Sequence, residues 1–424
     1  MSLRAGLPAA SLNSDPPRVR ALSHARLWIA SGQSTPADTQ DSKSFLSGDP
    51  AIESLPFDEW KLQGPCQQIP WTVKTDFLGM NFAERLVARV EIDVSGKELT
   101  RRVAQGRLVA LVEIVDDHSN VYRNWAEFKL ERMNRDFKRN EVDIFWDAFV
   151  MPGNFRVNVA LYDTATREHD LGTRSLDIEP YRNDVLAGSW SGLPSVEFLD
   201  PATGLDAIDT YYQPEISGKL HLPVTNPFPV HVRLVLNSAV SQDLASQPGA
   251  ESYYRAEMIA SLKTLSQLDV GAGTRDVTVL DLERFRNAFE QTDLEPLDWP
   301  KLKAALQETD PGAIDVHSLE NRKTQAAFLR QELEQRVGTG PPCATILLST
   351  YMVFEPGSDL SPIVAPSHGS CDFYYLRYGR PKQTDDDVAR ILKPLHPNIL
   401  DIGSPEDLRR AIAAILDDLA RRKQ

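Results

Sequence analysis

The stretch LHPNILDIGSPEDLRRAIAAIL, residues 395–416, carries the clearest fold signal in this chain. Residues 399–402 are apolar enough for a short strand, and Ser404 and Pro405 suit the N-cap and the first position of a helix. The apolar residues that mark the buried face of that helix are Leu408, Ile412, Ile415 and Leu419. The stretch therefore predicts a strand followed by an amphipathic helix.

Upstream of this stretch, from residue 230 onward, strand-like and helix-like segments alternate. The predicted strands are 230–237, 276–282, 344–350, 372–378 and 399–402. The predicted helices are 252–268, 299–306, 315–336, 385–392 and 404–422. Alternation of this kind is typical of a parallel sheet with helices on both faces, so residues 230–424 are predicted to form a doubly wound α/β domain.

Residues 66–185 show a different pattern, in which period-2 runs are separated by turn residues. The predicted strands are 87–94, 107–116, 121–125, 142–149, 155–163 and 171–178. This pattern favours an all-β antiparallel sandwich of immunoglobulin-like type. The phrase PGNFRV at residues 152–157 resembles the start of a late strand in bacterial immunoglobulin-like modules, although the Pro-Gly turn alone would also produce it.

Two segments lie outside these domains. Residues 1–65 are rich in Ser, Pro, Ala and Asp, which predicts a flexible N-terminal arm; the alternative is a segment that adds onto the next domain. Residues 186–229 are predicted to be a connector stiffened by prolines. Within it, the G-x-S-x-G serine elbow of hydrolases is excluded because Trp190 occupies the nucleophile position.

The composition argues against several partners. A net charge of −14 disfavours nucleic acid and anionic membrane surfaces, which require a basic face. No apolar run approaches the roughly 20 residues of a membrane helix, so membrane insertion is not expected. The first residues contain no apolar signal-peptide core. The location therefore stays open between the cytoplasm and export with the leader removed.

The order of segments from residue 230, and the closing segment 395–416 above all, resembles a von Willebrand factor A domain. The resemblance is closest to the divergent bacterial proteins described as von Willebrand factor A-related. It covers about residues 230–424 and implies that a β-sandwich accompanies the α/β domain. It also implies a site at the carboxyl ends of the strands, where family members bind a divalent cation and, through it, a partner.

Family members place D-x-S-x-S at the end of the first strand and an Asp after the fourth strand. The corresponding positions in this chain are Asn237, Ala239, Ser241 and Thr350. Only Ser241 keeps the residue type of the family, and both carboxylates are lost. Because hard cations need several oxygen ligands with negative charge, we predict a degenerate site without metal. Asp243 and Asp281 are nearby carboxylates that a cation could still recruit.

No sequence motif for catalysis or for a cofactor is found. The chain has no phosphate-binding G-x-x-x-x-G-K-[ST] and no H-E-x-x-H, and its cysteines form no C-x-x-C. We therefore predict a non-enzymatic interaction or scaffold protein that binds an unknown protein partner and needs no cofactor. The alternatives are an α/β hydrolase or other enzyme with an unrecognised site at the carboxyl edge of the sheet, and a purely structural module.

The resemblance also predicts a disulfide. Cys343 and Cys371 directly precede two strands that are parallel neighbours in the sheet order of the family. Equal offsets place both cysteines at the same level of the sheet, within the distance that a bridge tolerates. The alternative is a pair of reduced, half-buried thiols, as expected in a reducing compartment. A bridge would in turn favour export.

Overall fold

The computed structural model describes residues 50–102, 106–129, 141–199, 218–245, 250–294, 296–308, 322–337, 343–365, 371–379 and 385–421. The described chain is mostly β-sheet, with several sheets and a few helices, and its organisation is multidomain-like. Within the described ranges, no helix is both long and apolar enough to cross a membrane.

Two four-stranded antiparallel sheets form the N-terminal half. The first has the order β1-β2-β5-β8 and contains Trp71–Met80 (β1), Leu86–Ser95 (β2), Glu141–Val150 (β5) and Val196–Phe198 (β8). The second has the order β4-β3-β6-β7 and contains Val121–Lys129 (β4), Arg107–Val115 (β3), Gly153–Asp163 (β6) and His169–Ile178 (β7). Every pair of neighbouring strands in these sheets is antiparallel.

The two sheets pack face to face around one apolar core. Alternate residues of β2, such as Val90 and Ile92, meet Val112 and Ile114 of β3, and Trp146 is fully buried between them. The predicted period-2 strands are therefore present. The sequence prediction missed β1, because this edge strand alternates in burial only over its first residues and then exposes apolar as well as polar side chains, Phe77 and Leu78 among them.

The predicted flexible arm is wrong over its described part. Pro50–Glu53 and Phe57–Gln63 are short helices, and Ile52, Phe57 and Trp60 pack on the outer face of the second sheet. This contact explains why β3 is buried on both faces, which an uncovered antiparallel sheet would not be. From residue 50 onward, the chain therefore follows the alternative prediction, in which this segment adds onto the next domain. Residues 1–49 lie outside the described part.

The predicted connector is also partly folded into the two halves. Its residues 196–198 form β8 of the first sheet. Leu222–Pro223 (β9) pairs in parallel with Leu268–Asp269 (β11). Leu186 packs in the core of the C-terminal half, and Trp190 packs against the cores of both halves. The segment is therefore an interface layer over its described residues, and residues 200–217 lie outside them.

One six-stranded sheet organises the C-terminal half, in the order β13-β12-β10-β14-β15-β16. Its strands are His231–Asn237 (β10), Thr274–Asp281 (β12), Arg286–Gln291 (β13), Cys343–Thr350 (β14), Asp372–Tyr378 (β15) and Asn398–Ile402 (β16). All neighbours are parallel except β12 and β13, which form an antiparallel hairpin. The sequence prediction missed β13, a polar edge strand with only Phe289 fully buried.

Helices cover both faces of this sheet. Their bounds are Gln242–Ala245, Ala250–Leu265, Trp299–Glu308, Gln325–Arg336, Asp387–Leu392 and Pro405–Arg421. Ala250–Leu265 and Pro405–Arg421 share one apolar core, and Gln325–Arg336 and Asp387–Leu392 share the core on the opposite face. The helix predicted over 315–336 begins at Gln325, after a 3-10 turn, and residues 309–321 lie outside the described part. Ser404 caps the last helix as predicted, because its Oγ accepts a hydrogen bond from the Asp407 amide.

Candidate functional site

The carboxyl ends of β10 and β14 form the centre of the sheet edge. These two strands are hydrogen-bonded neighbours, and the chain continues from them toward opposite ends of the sheet. Such a change of direction opens a crevice in doubly wound sheets, and ligands bind there. Asn237 ends β10 and Thr350 ends β14. The structure therefore brings these two sequence-predicted positions together at the place where a site is expected.

Asn237 is fully buried and its amide is used twice within the chain. Its Nδ2 donates to Ser349 Oγ at 2.9 Å, and its Oδ1 accepts from the Ala239 amide at 3.1 Å. Ser349 Oγ in turn donates to the Thr350 carbonyl at 2.8 Å. The Asn side chain thus joins the ends of β10 and β14 by hydrogen bonds that a carboxylate would not reproduce, because the Nδ2 donor would be absent.

Ser241 and Thr350 complete this network. The Ser241 amide donates to Thr350 Oγ1 at 3.0 Å, and Tyr375 donates its hydroxyl proton to the Thr350 carbonyl at 3.1 Å. Ser241 and Thr350 are both buried, whereas Ala239 is half-buried and packs on the apolar core. All four sequence-predicted positions therefore lie together. We name the set Asn237, Ala239, Ser241, Ser349 and Thr350 the edge network.

The residues at this edge do not fit a divalent cation. The edge network contains amide and hydroxyl groups and no carboxylate, whereas Mg²⁺ and Ca²⁺ sites rely on carboxylate oxygens. Of the two nearby acids, Asp281 is buried and paired with Arg284 at 3.1 Å and with Arg286 at 3.5 Å. Asp243 is exposed beside the edge. The donor set favours internal hydrogen bonding over metal binding.

Ionisable groups surround the edge network. Arg255 Nε donates to the Ser238 carbonyl at 3.4 Å. Burial raises the pKa of Glu257 to about 7, and a hydrogen bond from Tyr253 partly opposes this increase. Burial, and then the charge of Asp281, raise the pKa of Glu283. Two serines here donate to main-chain oxygens: Ser238 Oγ to the Leu280 carbonyl at 2.9 Å and Ser349 Oγ to the Thr350 carbonyl. Neither of these two serines is activated by its hydrogen-bond partner, and the Ser241 hydroxyl interacts with that of Tyr351.

Aromatic and apolar side chains lie on the outer side of this edge. Tyr253 and Tyr254 pack edge to face at 5.6 Å, and Tyr351 lies close enough to Ser241 and Asp243 for both to act on its hydroxyl. Tyr253 is 55% exposed, and Val353, two residues beyond Tyr351, is 51% exposed. Tyr254 is half-buried and Tyr351 is buried, so Tyr253 and Val353 supply the exposed area. We name Tyr253, Tyr254, Tyr351 and Val353 the edge patch.

A turn in the N-terminal half brings together three potential metal ligands. Donor atoms of Asp116, Asp117 and His118 lie within 4.8 Å of one another. The Asp116 carboxylate accepts from the amides of His118 and Asn120, and from the Asn120 side chain at 2.9 Å. These bonds hold the turn between β3 and β4, so the group has a structural role in that turn.

A separate cavity of about 560 Å³ lies between the two halves. Its walls come from four separated parts of the chain: 83–85, 218–222, 263–275 and 294–300. Several of its side chains are basic, Lys263 and Arg275 among them. This cavity could not be predicted from the sequence, because no spacing within any one of the four segments indicates that they converge.

Comparisons with known proteins do not identify the chain. No protein-family model matches it, and no curated protein matches it. The X-ray structure of Northeast Structural Genomics Consortium target SoR45 is 12% identical over 27% of this chain and 87% of that one, with a TM-score of 0.18. A glycosyl hydrolase family 2 member from Bacteroides cellulosilyticus is 12% identical over 78% of this chain and 43% of that one, with a TM-score of 0.19. Similarities this low carry no argument about fold or function.

Proposed function

We propose that this chain is a non-enzymatic interaction protein, built from an immunoglobulin-like sandwich and a divergent, metal-free von Willebrand factor A-like domain. The strand order supports the second assignment: β10 starts the sheet near its centre, β12 and the antiparallel β13 lie on one side, and β14 to β16 lie on the other. Two antiparallel four-stranded sheets around one core support the first assignment.

The edge network is the observation that carries the proposal. The side chains of Asn237, Ser349 and Thr350 are hydrogen-bonded to one another or to main-chain groups. The Ser241 hydroxyl interacts with that of Tyr351. A buried polar group that already has its partners gains little by exchanging them for a ligand, because the old bonds must be broken first. The site that would hold a cation in a related domain is therefore occupied by the protein's own hydrogen bonds, and contact with a partner must come from the surrounding surface.

The edge patch supplies such a surface. Tyrosine is enriched at protein interfaces, since it buries a large apolar ring and keeps one polar group for a hydrogen bond. Val353, two residues beyond Tyr351 in the chain, adds an exposed apolar side chain. We propose that a protein partner contacts this patch directly, without a bridging metal ion.

The test is a matched pair of substitutions in the full chain. Val353→Asp places a charge on the edge patch, and Leu62→Asp places the same charge at a side chain that is 89% exposed on the helix Phe57–Gln63. Both variants and the unmodified protein are cross-linked in cells of the native host, and the linked partners are identified by mass spectrometry. Melting curves establish that both variants are folded.

We expect a partner that is cross-linked near the edge patch, lost with Val353→Asp, retained with Leu62→Asp and unaffected by a chelator. A partner that both variants retain, with cross-links elsewhere on the molecule, contradicts the assignment of the edge patch. A partner that the chelator releases contradicts the metal-free mechanism.

A further inference from the structure

The cavity between the two halves is larger than internal packing requires and is lined by charge as well as apolar surface. We propose that this cavity binds a small organic anion, with its carboxylate or phosphate among the basic side chains and its apolar body against Trp299. The volume of about 560 Å³ lies within the range of small-molecule sites, which form preferentially between domains. This site is independent of the edge patch and of any protein partner.

The charges of the cavity are opposite in sign to those of the molecule. Four strongly basic side chains line it, and two acidic residues, Asp269 and Asp298, stand against them. The basic residues are Arg85, Lys219, Lys263 and Arg275. In a chain with a net charge of −14, a local excess of cations in a concave site focuses a field that attracts anions.

Arg275 is held in position by main-chain groups. Its Nη1 donates to the Ser266 carbonyl at 2.6 Å and to the Leu268 carbonyl at 2.7 Å, and its Nη2 donates to the Leu294 carbonyl at 2.9 Å. Carbonyl oxygens orient a guanidinium group but do not cancel its formal charge. The cavity wall therefore contains a rigid cation, which is a preorganised partner for an anion.

Lys263 brings a second buried cation to the same wall. The side chain is almost fully buried, and its Nζ lies 5.0 Å from the centre of the Trp299 ring. Burial lowers the pKa of Lys263 to about 8; the charge of Glu197 opposes this shift and that of Arg85 adds to it. A bound anion would offset the burial of the ammonium group, so its binding and the protonation of Lys263 favour each other.

Arg85 lies at the edge of the cavity that faces the N-terminal half. It pairs with Glu197 at 3.2 Å and stacks over the Phe149 ring at 4.7 Å. Within the described ranges, its Nη1 is buried without a hydrogen-bond partner, and it lies against Gly218, another lining residue. A buried donor without a partner is uncommon, and it adds positive potential at this end of the cavity.

Much of the remaining wall is apolar, although His221, Ser266 and Gln267 also line the cavity. Leu220, Leu222, Leu294, Leu297 and Trp299 line it. An inorganic ion would leave this surface in contact with water, whereas a ligand with a ring or short alkyl chain would cover it. The combination of buried cations and an apolar wall therefore selects an amphiphilic anion over a bare ion or a neutral apolar molecule.

The experiment is calorimetric titration of the full chain with phenyl phosphate, inorganic phosphate and phenol. We expect one site per chain that binds phenyl phosphate at least tenfold more tightly than either of the other two. Lys263→Met and Lys219→Met should each weaken this binding, the former about tenfold or more. Lys301→Met is the matched control, because Lys301 is an exposed lysine next to the cavity that does not line it. The affinity of this variant for phenyl phosphate should stay within about twofold of that of the unmodified protein.

A second readout does not depend on how the variants fold. Bound phenyl phosphate should slow the acetylation of Lys263 by acetic anhydride, measured by peptide mass spectrometry, and leave that of Lys301 unchanged. Protection of Lys263 together with the loss of affinity supports the proposal. Equal affinity for phenol and phenyl phosphate, equal loss in the Lys301 control, or unprotected Lys263 at saturating phenyl phosphate overturns it.

Discussion

Arg409 and Glu84 form an ion pair across the interface of the two halves, with Nη1 and Oε2 2.8 Å apart and both side chains 1% exposed. Arg409 also binds Asp184 through two 2.7 Å hydrogen bonds and stacks over Trp190, with its Cζ 4.6 Å from the ring centre. The Trp190 Nε1 donates to the Glu84 carbonyl at 2.7 Å. The Gly-Ser-Trp-Ser-Gly segment thus has an interface role.

Removal of the Arg409 charge should destabilise the whole chain. Arg409→Met leaves Glu84 and Asp184 near the interface without their cation, and an uncompensated buried charge costs about 3–5 kcal/mol. Arg410→Met is the control, because Arg410 is mostly exposed and its pair with Asp407 should contribute under about 1 kcal/mol. Urea unfolding measures both variants. Equal midpoints for the two would show that the buried pair does not hold the halves together.

The stability of the chain should depend on pH through Glu257. Burial raises its folded-state pKa from 4.5 to about 7, so its contribution is fully present below pH 4.5 and is lost as the pH rises to about 7. Glu257→Gln removes this loss, and the variant should gain about 2–3 kcal/mol on the wild type over that window. Unfolding free energies between pH 4 and 8 measure it, with Glu59→Gln, an exposed change, as the control. A constant difference across the window is the contrary result.

Divalent cations should not bind tightly at the edge network. Calorimetric titration with Mg²⁺, Mn²⁺ and Ca²⁺ should find no site there with a Kd below roughly 1 mM, the weak end of protein calcium sites. Asn237→Asp should destabilise the chain by about 1–3 kcal/mol, because the Ser349 hydroxyl loses its donor and a carboxylate is buried. Addition of Mg²⁺ should not restore the stability that Asn237→Asp loses. A stoichiometric micromolar site in the wild type would remove the basis for a metal-free edge.

A disulfide joins Cys343 and Cys371 in the structure, with Cα atoms 4.7 Å apart. The register of β14 and β15 places both residues at one level of the sheet. Because the bridge spans 28 residues, its loss in Cys343→Ser should cost about 3.5 kcal/mol by the chain-entropy model. Cys66→Ser, at the free cysteine, is the control. Alkylation of the denatured protein from its native compartment should block one thiol before reduction and three after it. Three alkylated thiols in the unreduced protein would exclude the disulfide in that compartment.

The C-terminal half should depend on the rest of the chain for part of its stability. Two domains joined by a connector over 186–229, as the sequence predicts, would each be expected to fold alone when the chain is cut there. The apolar core of this half, however, includes Phe82, Leu186, Leu220 and Leu222. We expect the fragment 230–424 to fold, but with a free energy of unfolding lower by several kcal/mol. Each missing large apolar side chain accounts for about 2 kcal/mol of this loss. Calorimetric melting compares it with the fragment 180–424, which retains three of the four. Equal melting temperatures would contradict this dependence.

Most of the strands and helices could be predicted from local sequence pattern. Periodicity and capping act over a few residues, so β10, β14 and the capped helix Pro405–Arg421 could be located from local pattern alone. Edge strands were missed because one-sided or absent burial weakens that pattern, as in β1 and β13. Four positions of the edge network, Asn237, Ala239, Ser241 and Thr350, were located through the family resemblance, since they lie at or shortly after the ends of β10 and β14.

The contacts between these elements could not be predicted from local pattern and are seen in the folded chain. Arg409 and Glu84 are 325 positions apart, and no local pattern pairs them. Three other features also depend on contacts between segments that are distant in sequence. They are the folded arm from residue 50, the interface role of Trp190 and the cavity beside Lys263. Burial and hydrogen bonding depend on proximity in space, whereas sequence pattern reports only on neighbours along the chain.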